Sequence, residues 1–125
     1  MHWDFILVAG LVAAAMLALK RLGLISREAA RGYLKQGALV VDVRSAEEFK
    51  AGHLSNALNI PLGELQSRLP GCVADKNQVL LLHCLSGTRS GIARRALKSM
   101  GYTNVFNLGS LARARKITGN ISSVA

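Results

Sequence analysis

The residues able to do chemistry in this 125-residue chain cluster in one stretch, His83-Cys84-Leu85-Ser86-Gly87-Thr88-Arg89-Ser90. It follows the apolar run Gln78-Val-Leu-Leu-Leu82, which reads as a buried central strand of a parallel sheet. A cysteine at the carboxyl end of such a strand, before a tight loop that opens a helix, is placed to be held as an anion. Amides from Leu85 onward can turn inward as a nest, and the helix amino end adds partial positive charge. Both favour thiolate over thiol and pull a cysteine below its free pKa of about 8.5. Gly87 permits a backbone conformation that a Cβ would resist. Arg89 supplies a permanent cation and a donor fork, either to a bound anion or to loop carbonyls. The residues therefore point to an anion-stabilising loop from Leu85 to Ser90 that holds Cys84 as a thiolate.

Such a loop needs a scaffold. Leu39-Val-Val-Asp-Val43 reads as a buried strand, Ala57 to Ile60 as a short one stopped by Pro61, and Asn104 to Leu108 as another. Ser26 can cap a helix through Lys35 that Gly37 ends, and Ser45-Ala-Glu-Glu48 is a capping box opening a short helix before Gly52. Helical turns are expected from Gly63 to Leu69, broken by Pro70-Gly71. A helix from about Ser90 to Met100 would bury Ala93, Ala96, Leu97 and Met100, and a last one runs from Leu111 to Ile117. Strands alternating with helices predict an α/β domain with a parallel sheet.

The amino terminus is of another kind. Phe5 to Leu19 is an unbroken run of apolar and small residues, about 22 Å long as a helix. Trp3 before it and Lys20-Arg21 after it can extend the span, because an indole prefers the interface and cationic side chains snorkel. A secretory signal would want positive charge ahead of the run, and Met1 to Asp4 has no Lys or Arg. A buried core helix that is apolar all round would need a larger protein to cover it. The expectation is a transmembrane anchor over residues 1–25, followed by a domain over 26–125. The cationic flank places that domain on the cytoplasmic side of a single-pass membrane protein, where a reactive thiol stays reduced.

Two motifs carry a family resemblance. Val41-Asp-Val-Arg-Ser45 leading to Gly52-His53 and Ala57-Leu-Asn-Ile-Pro61 is similar to the opening motif of rhodanese domains. Cys84-Leu-Ser-Gly-Thr-Arg89 resembles the rhodanese active-site loop, Cys-x-x-Gly-x-Arg. The resemblance covers about Ser26 to Ile117. It implies a five-stranded parallel sheet flanked by helices. It also implies a sulfurtransferase in which Cys84 takes sulfane sulfur from a donor (thiosulfate or a persulfide), holds it as a persulfide and passes it to a thiol or protein acceptor. Related phosphatases of the cell-division type have five residues between Cys and Arg; the four here, Leu85 to Thr88, make a ring suited to one sulfur atom. Phosphatase or arsenate-reductase chemistry is the lesser reading. Family members that prefer thiosulfate often carry basic side chains inside the loop, whereas here Arg89 is the only loop cation. That keeps open a membrane-anchored persulfide carrier or sensing module without turnover. The family's usual Gly-Gly turn and following Trp are replaced by Gly109-Ser110 and a helix without Trp.

The formal net charge is +9, from 16 Lys+Arg against 7 Asp+Glu. The cations follow the apolar run or surround the Cys84 loop, aromatics are few, and anionic lipid headgroups plus a small anionic sulfur donor account for them better than nucleic acid. Asp42 and Arg44 are expected as a supporting hydrogen-bonded pair near the loop. His53 is expected to bond locally. His83 should point away from Cys84 by strand alternation. Cys72 reads as incidental, both cysteines as reduced, and neither a metal nor a cofactor is called for by the spacing.

Overall fold

The structure, a computed structural model, describes residues 2–119. Among them the chain forms α1 (His2–Leu22), α2 (Arg27–Lys35), β1 (Leu39–Asp42), α3 (Ala46–Ala51), β2 (Leu58–Asn59), a 3₁₀ turn (Leu62–Glu64), α4 (Leu65–Cys72), β3 (Leu80–His83), α5 (Thr88–Ser99), β4 (Val105–Gly109) and α6 (Leu111–Thr118). The strands form one parallel sheet in the order β2-β1-β3-β4. The central strand β3 is buried along its whole length, which is why its sequence is apolar on both faces.

The sheet divides the core into two layers. On one face Val41, Leu80, Leu82 and Cys84 pack with Leu65 and Leu69 of α4 and Ala93 and Leu97 of α5. On the other, Leu81 and Leu108 pack with Ala30 of α2 and with Leu111, Ala114 and Ile117 of α6. Adjacent β3 residues thus serve opposite layers, as the two-residue period of a strand requires.

Local signals explain most boundaries. Ser26 accepts from the Ala29 amide and caps α2. The capping box of α3 is complete, with Ser45 accepting from the Glu48 amide and Glu48 accepting from the Ser45 amide. Three expectations are corrected. Pro70 does not break its helix; α4 runs on to Cys72. The helix after the loop begins at Thr88, earlier than expected, so Arg89 and Ser90 lie in its first turn. The sheet has four described strands where the resemblance implies five. The fifth edge survives only as a bridge from Leu24 to Asn107, with Ile25 N donating to Asn107 O at 3.0 Å and Asn107 N to Gly23 O at 3.2 Å. It cannot lengthen, because Gly23 leaves α1 with φ +65° and Ser26 already caps α2.

The helix α1 is long and apolar enough to cross a membrane, and none of its apolar window is buried against the rest of the chain. Trp3, Phe5, Ile6, Leu7, Leu11 and Leu17 are all exposed. Only its carboxyl end docks, on α5 and β4: a Cβ on Gly91 would approach Leu22 Cδ2 to 3.0 Å, and the Leu22 carbonyl accepts from the Asn107 amide at 2.8 Å.

Candidate active site

Cys84 follows β3 directly, at the carboxyl edge of the sheet, where its amide donates to the Gly109 carbonyl at 3.2 Å. The loop is short. Gly87 ends it with φ +99° and stands at the N-cap of α5. A side chain there would be strained, and its Cβ would meet Gly109 Cα at 3.2 Å. Gly109 is itself left-handed, at φ +95°. Two glycines thus face each other beneath the loop, which a bridge between Ser86 and Ser110 and a bond from Leu111 N to Leu85 O stitch to the turn after β4. Ser110, standing where the family has a second glycine, caps α6 by accepting from Arg113 N at 3.0 Å.

The loop closes on sulfur. Gly87 N donates to Cys84 Sγ at 3.0 Å and the Ser90 hydroxyl lies 3.5 Å from it. Burial alone would push the thiol's pKa up. The Ser90 hydroxyl and the amides of Ser90, Gly87 and Ser86 oppose that and together bring it below the ordinary value of 9.0. Cys84 is buried and Leu85 beside it is 58% exposed, so the sulfur sits on the floor of the loop rather than at its rim. Cys72 is free and exposed, at the end of α4.

Arg89 spends its donor fork on a carboxylate rather than on loop carbonyls. Its guanidinium forks onto Glu48, with Nη1–Oε1 at 2.6 Å and Nη2–Oε2 at 2.9 Å. That hydrogen-bonded pairing holds the Glu48 carboxyl down to about 2 from an ordinary 4.5, and Glu48 in turn raises Arg89. Arg89 also feels the Cys84 sulfur, which raises it further. Glu48 was legible only as a capping residue; its partner lies 41 positions away, beyond any local signal.

The Asp42–Arg44 pair is buried and built of four contacts, the shortest from Arg44 Nη2 to Asp42 Oδ2 at 2.7 Å. The same nitrogen donates to Gly52 O at 2.8 Å. Asn59 of the second motif segment donates to the carbonyls of Asp42 and Arg44, both at 3.0 Å. The opening motif is therefore a set of clamps fixing the end of β1. His53 Nδ1 donates to Phe49 O at 2.8 Å, and its ring stacks on Phe49. His83, alternating with Cys84, has its Nδ1 at 3.3 Å from the Cys84 carbonyl and its Nε2 at 3.7 Å from Asp42 Oδ2. Burial pushes His83 down from 6.5, with Asp42 partly opposing.

Asn107 is the residue that sequence reading missed. Its fully buried amide donates to Leu22 O at 2.8 Å and Gly87 O at 3.0 Å. Its carbonyl oxygen accepts from the Ser90 hydroxyl at 2.7 Å and Gly109 N at 2.8 Å. Inside the run Asn104-Val-Phe-Asn-Leu108 it looked like one more strand residue, although a buried Asn is a signal that some network must satisfy it. Among the described residues no group of three or more His, Cys, Asp or Glu side chains could hold a metal ion.

A buried cysteine faced by loop and helix amides, at the carboxyl end of a parallel sheet, defines an α/β domain built around one thiol. Residues 26–112 match the Rhodanese-like domain family, and the chain belongs to that family. It is 42% identical over 71 residues to thiosulfate sulfurtransferase PspE of Escherichia coli K12, covering 57% of this chain and 68% of PspE. It is 40% identical over 77 residues to YqhL of Bacillus subtilis, covering 62% of this chain and 58% of YqhL. Among solved structures, the human single-domain sulfurtransferase TSTD1 superposes with a TM-score of 0.64 at 30% identity, over 75% of this chain and 96% of that one. A rhodanese with anions from E. coli gives 0.60 at 39%, over 62% and 91%. Family and relatives support sulfur transfer as the general chemistry.

Proposed function

We propose that this chain is a sulfurtransferase working through a persulfide on Cys84. The thiolate attacks the outer sulfur of a donor, the donor's S–S bond breaks with its electron pair leaving on the remainder, and a thiophilic acceptor later removes the outer sulfur. The contact that carries the reading is Gly87 N to Cys84 Sγ at 3.0 Å. A donor amide aimed at the sulfur stabilises thiolate, persulfide and the charge passing between them. Leu85, Ser86, Gly87, Thr88, Arg89 and Ser90 form the binding loop in this reading, and Asp42 and Arg44 hold the strand end behind it.

Residues 1–25 serve as a single-pass anchor and 26–125 as the domain, with Lys20 and Arg21 directing the domain to the cytoplasmic side. The exposed apolar α1 supports the anchor. The partners are then a lipid bilayer, a small sulfur donor and a thiol or protein acceptor.

Intact-mass measurement after exposure to thiosulfate or a thiol persulfide tests the chemistry: the wild type gains one sulfur atom and Cys84→Ser gains none. A persulfide that forms elsewhere, or not at all, overturns it. A second reading, sulfur carriage without turnover, is favoured by the Glu48–Arg89 pair, which occupies the only loop cation. Cyanide-dependent thiocyanate formation separates the two, since a carrier loads Cys84 but does not turn over.

A further inference from the structure

We propose that Glu48 sets the donor preference of the site, holding Arg89 so that dianionic donors such as thiosulfate are disfavoured against thiol persulfides. The inference rests on the Cys84 persulfide reading and specifies which donor that site accepts.

Three observations carry it. First, Arg89 is the only charged side chain in the loop from Cys84 to Ser90, and both ends of its fork are taken by the two Glu48 oxygens. A sulfonate end would need the same fork, because it presents oxygens in the same bidentate geometry as a carboxylate. Second, Glu48 is not an adaptable surface group. Its Oε1 also accepts from Ser45 N at 3.2 Å in the capping box, so α3 fixes the carboxylate over the loop. Third, with Cys84 as thiolate, the one loop cation faces two negative groups, the sulfur and the Glu48 carboxylate, and the other donors on the sulfur are the uncharged loop amides and the Ser90 hydroxyl.

The two reactions differ in what they ask of Arg89. With thiosulfate, the thiolate attacks the sulfane sulfur, the S–S bond breaks, and sulfite leaves as a dianion carrying the electron pair. With a protonated persulfide, the thiolate takes the terminal sulfur with its proton and a monoanionic thiolate leaves. The first develops its charge on oxygens that have no free cation in the loop. The second develops it on sulfur, which the loop amides already face.

The test is single-turnover loading of Cys84 in the full-length protein, read by intact mass, with thiosulfate and with the persulfide of the uncharged thiol 2-mercaptoethanol as probes. Gln keeps the capping-box acceptor while removing the charge, so Glu48→Gln isolates the electrostatic effect. The ratio of thiosulfate to persulfide loading rates is expected to rise at least about fivefold, the effect of one unit charge about 4 Å away even under full aqueous screening. In Glu48→Gln/Arg89→Gln the gain disappears. In the wild type, added salt should speed thiosulfate loading more than persulfide loading, a measurement that stands even if the variant folds poorly. An unchanged ratio in Glu48→Gln, or a wild type whose thiosulfate loading falls with salt, overturns the proposal while leaving the persulfide reading intact. Loading by neither donor would overturn both.

Discussion

The side-chain amide of Asn107 donates to the carbonyl of Gly87 at 3.0 Å, so a buried residue of β4 holds the turn whose own amide faces the Cys84 sulfur. The second amide hydrogen goes to the Leu22 carbonyl and the oxygen accepts from Ser90. One side chain therefore ties the end of α1, the Cys84 loop and the first turn of α5.

Asn107→Ala should destabilise the domain by about 1–3 kcal/mol, chiefly because the buried Gly109 amide loses its acceptor, whereas Gly87 O keeps the Gly91 amide and the Ser90 hydroxyl. Because the Gly87 amide loses its support, the Cys84 thiolate should also titrate at higher pH than in the wild type. Denaturant melts read the first effect and pH-dependent alkylation of Cys84 the second. A loss of stability with an unchanged alkylation profile would confine Asn107 to the core.

Asp42→Ala strands the Arg44 guanidinium, which is buried, without its counter-charge. Breaking such a pair from one side costs about 3–5 kcal/mol. Urea unfolding is expected to show a loss of that order, and the double substitution Asp42→Leu/Arg44→Leu a smaller one. Equal losses in both would place the energy in packing rather than in the pair.

Glu48 also links stability to pH. Its folded pKa, about 2, lies below the ordinary 4.5, so the unfolded chain binds the proton more readily. The contribution is fully present above about pH 4.5 and lost as pH falls toward 2. Thermal melts of wild type and Glu48→Gln should therefore converge over that window and stay parallel above it. The difference will be modest, because both partners are about one-third exposed and screened by solvent.

If α1 anchors the chain, membranes from expressing cells should retain the protein through alkaline carbonate washing, and detergent should release it. Protease added from the cytoplasmic side should digest the domain, as the Lys20-Arg21 flank directs. Secretion of a shortened chain would indicate a cleaved signal instead.

Much of this was legible in the sequence, and what was not follows a pattern. Ser26, Ser45 and Glu48 announce their helices because capping is decided within four residues. The run Leu80-Leu-Leu82 announces a central strand because burial on both faces leaves no polar position. The Cys84 loop is legible because its anion-holding parts are contiguous. By contrast, Arg89 meets Glu48, and Asn107 meets Gly87 and Leu22, across long stretches of chain, where only the fold decides the pairing. The missing fifth strand is similar: whether Leu24 extends along β4 depends on Gly23 and Ser26 ending their helices on either side of it. Pro70 misled because a proline disfavours a helix without obliging it to stop, and α4 continues two residues beyond it.

Sulfur transfer at Cys84 depends on loop amides outweighing burial at one sulfur, and direct titration of the Cys84 thiolate, by its ultraviolet absorbance in a Cys72→Ser background, tests that most directly. The expected midpoint lies below the free-cysteine value of about 8.5, and it rises when Ser90 is replaced by Ala. A midpoint at or above that value, unmoved by Ser90→Ala, would contradict the claim that the loop holds an anion.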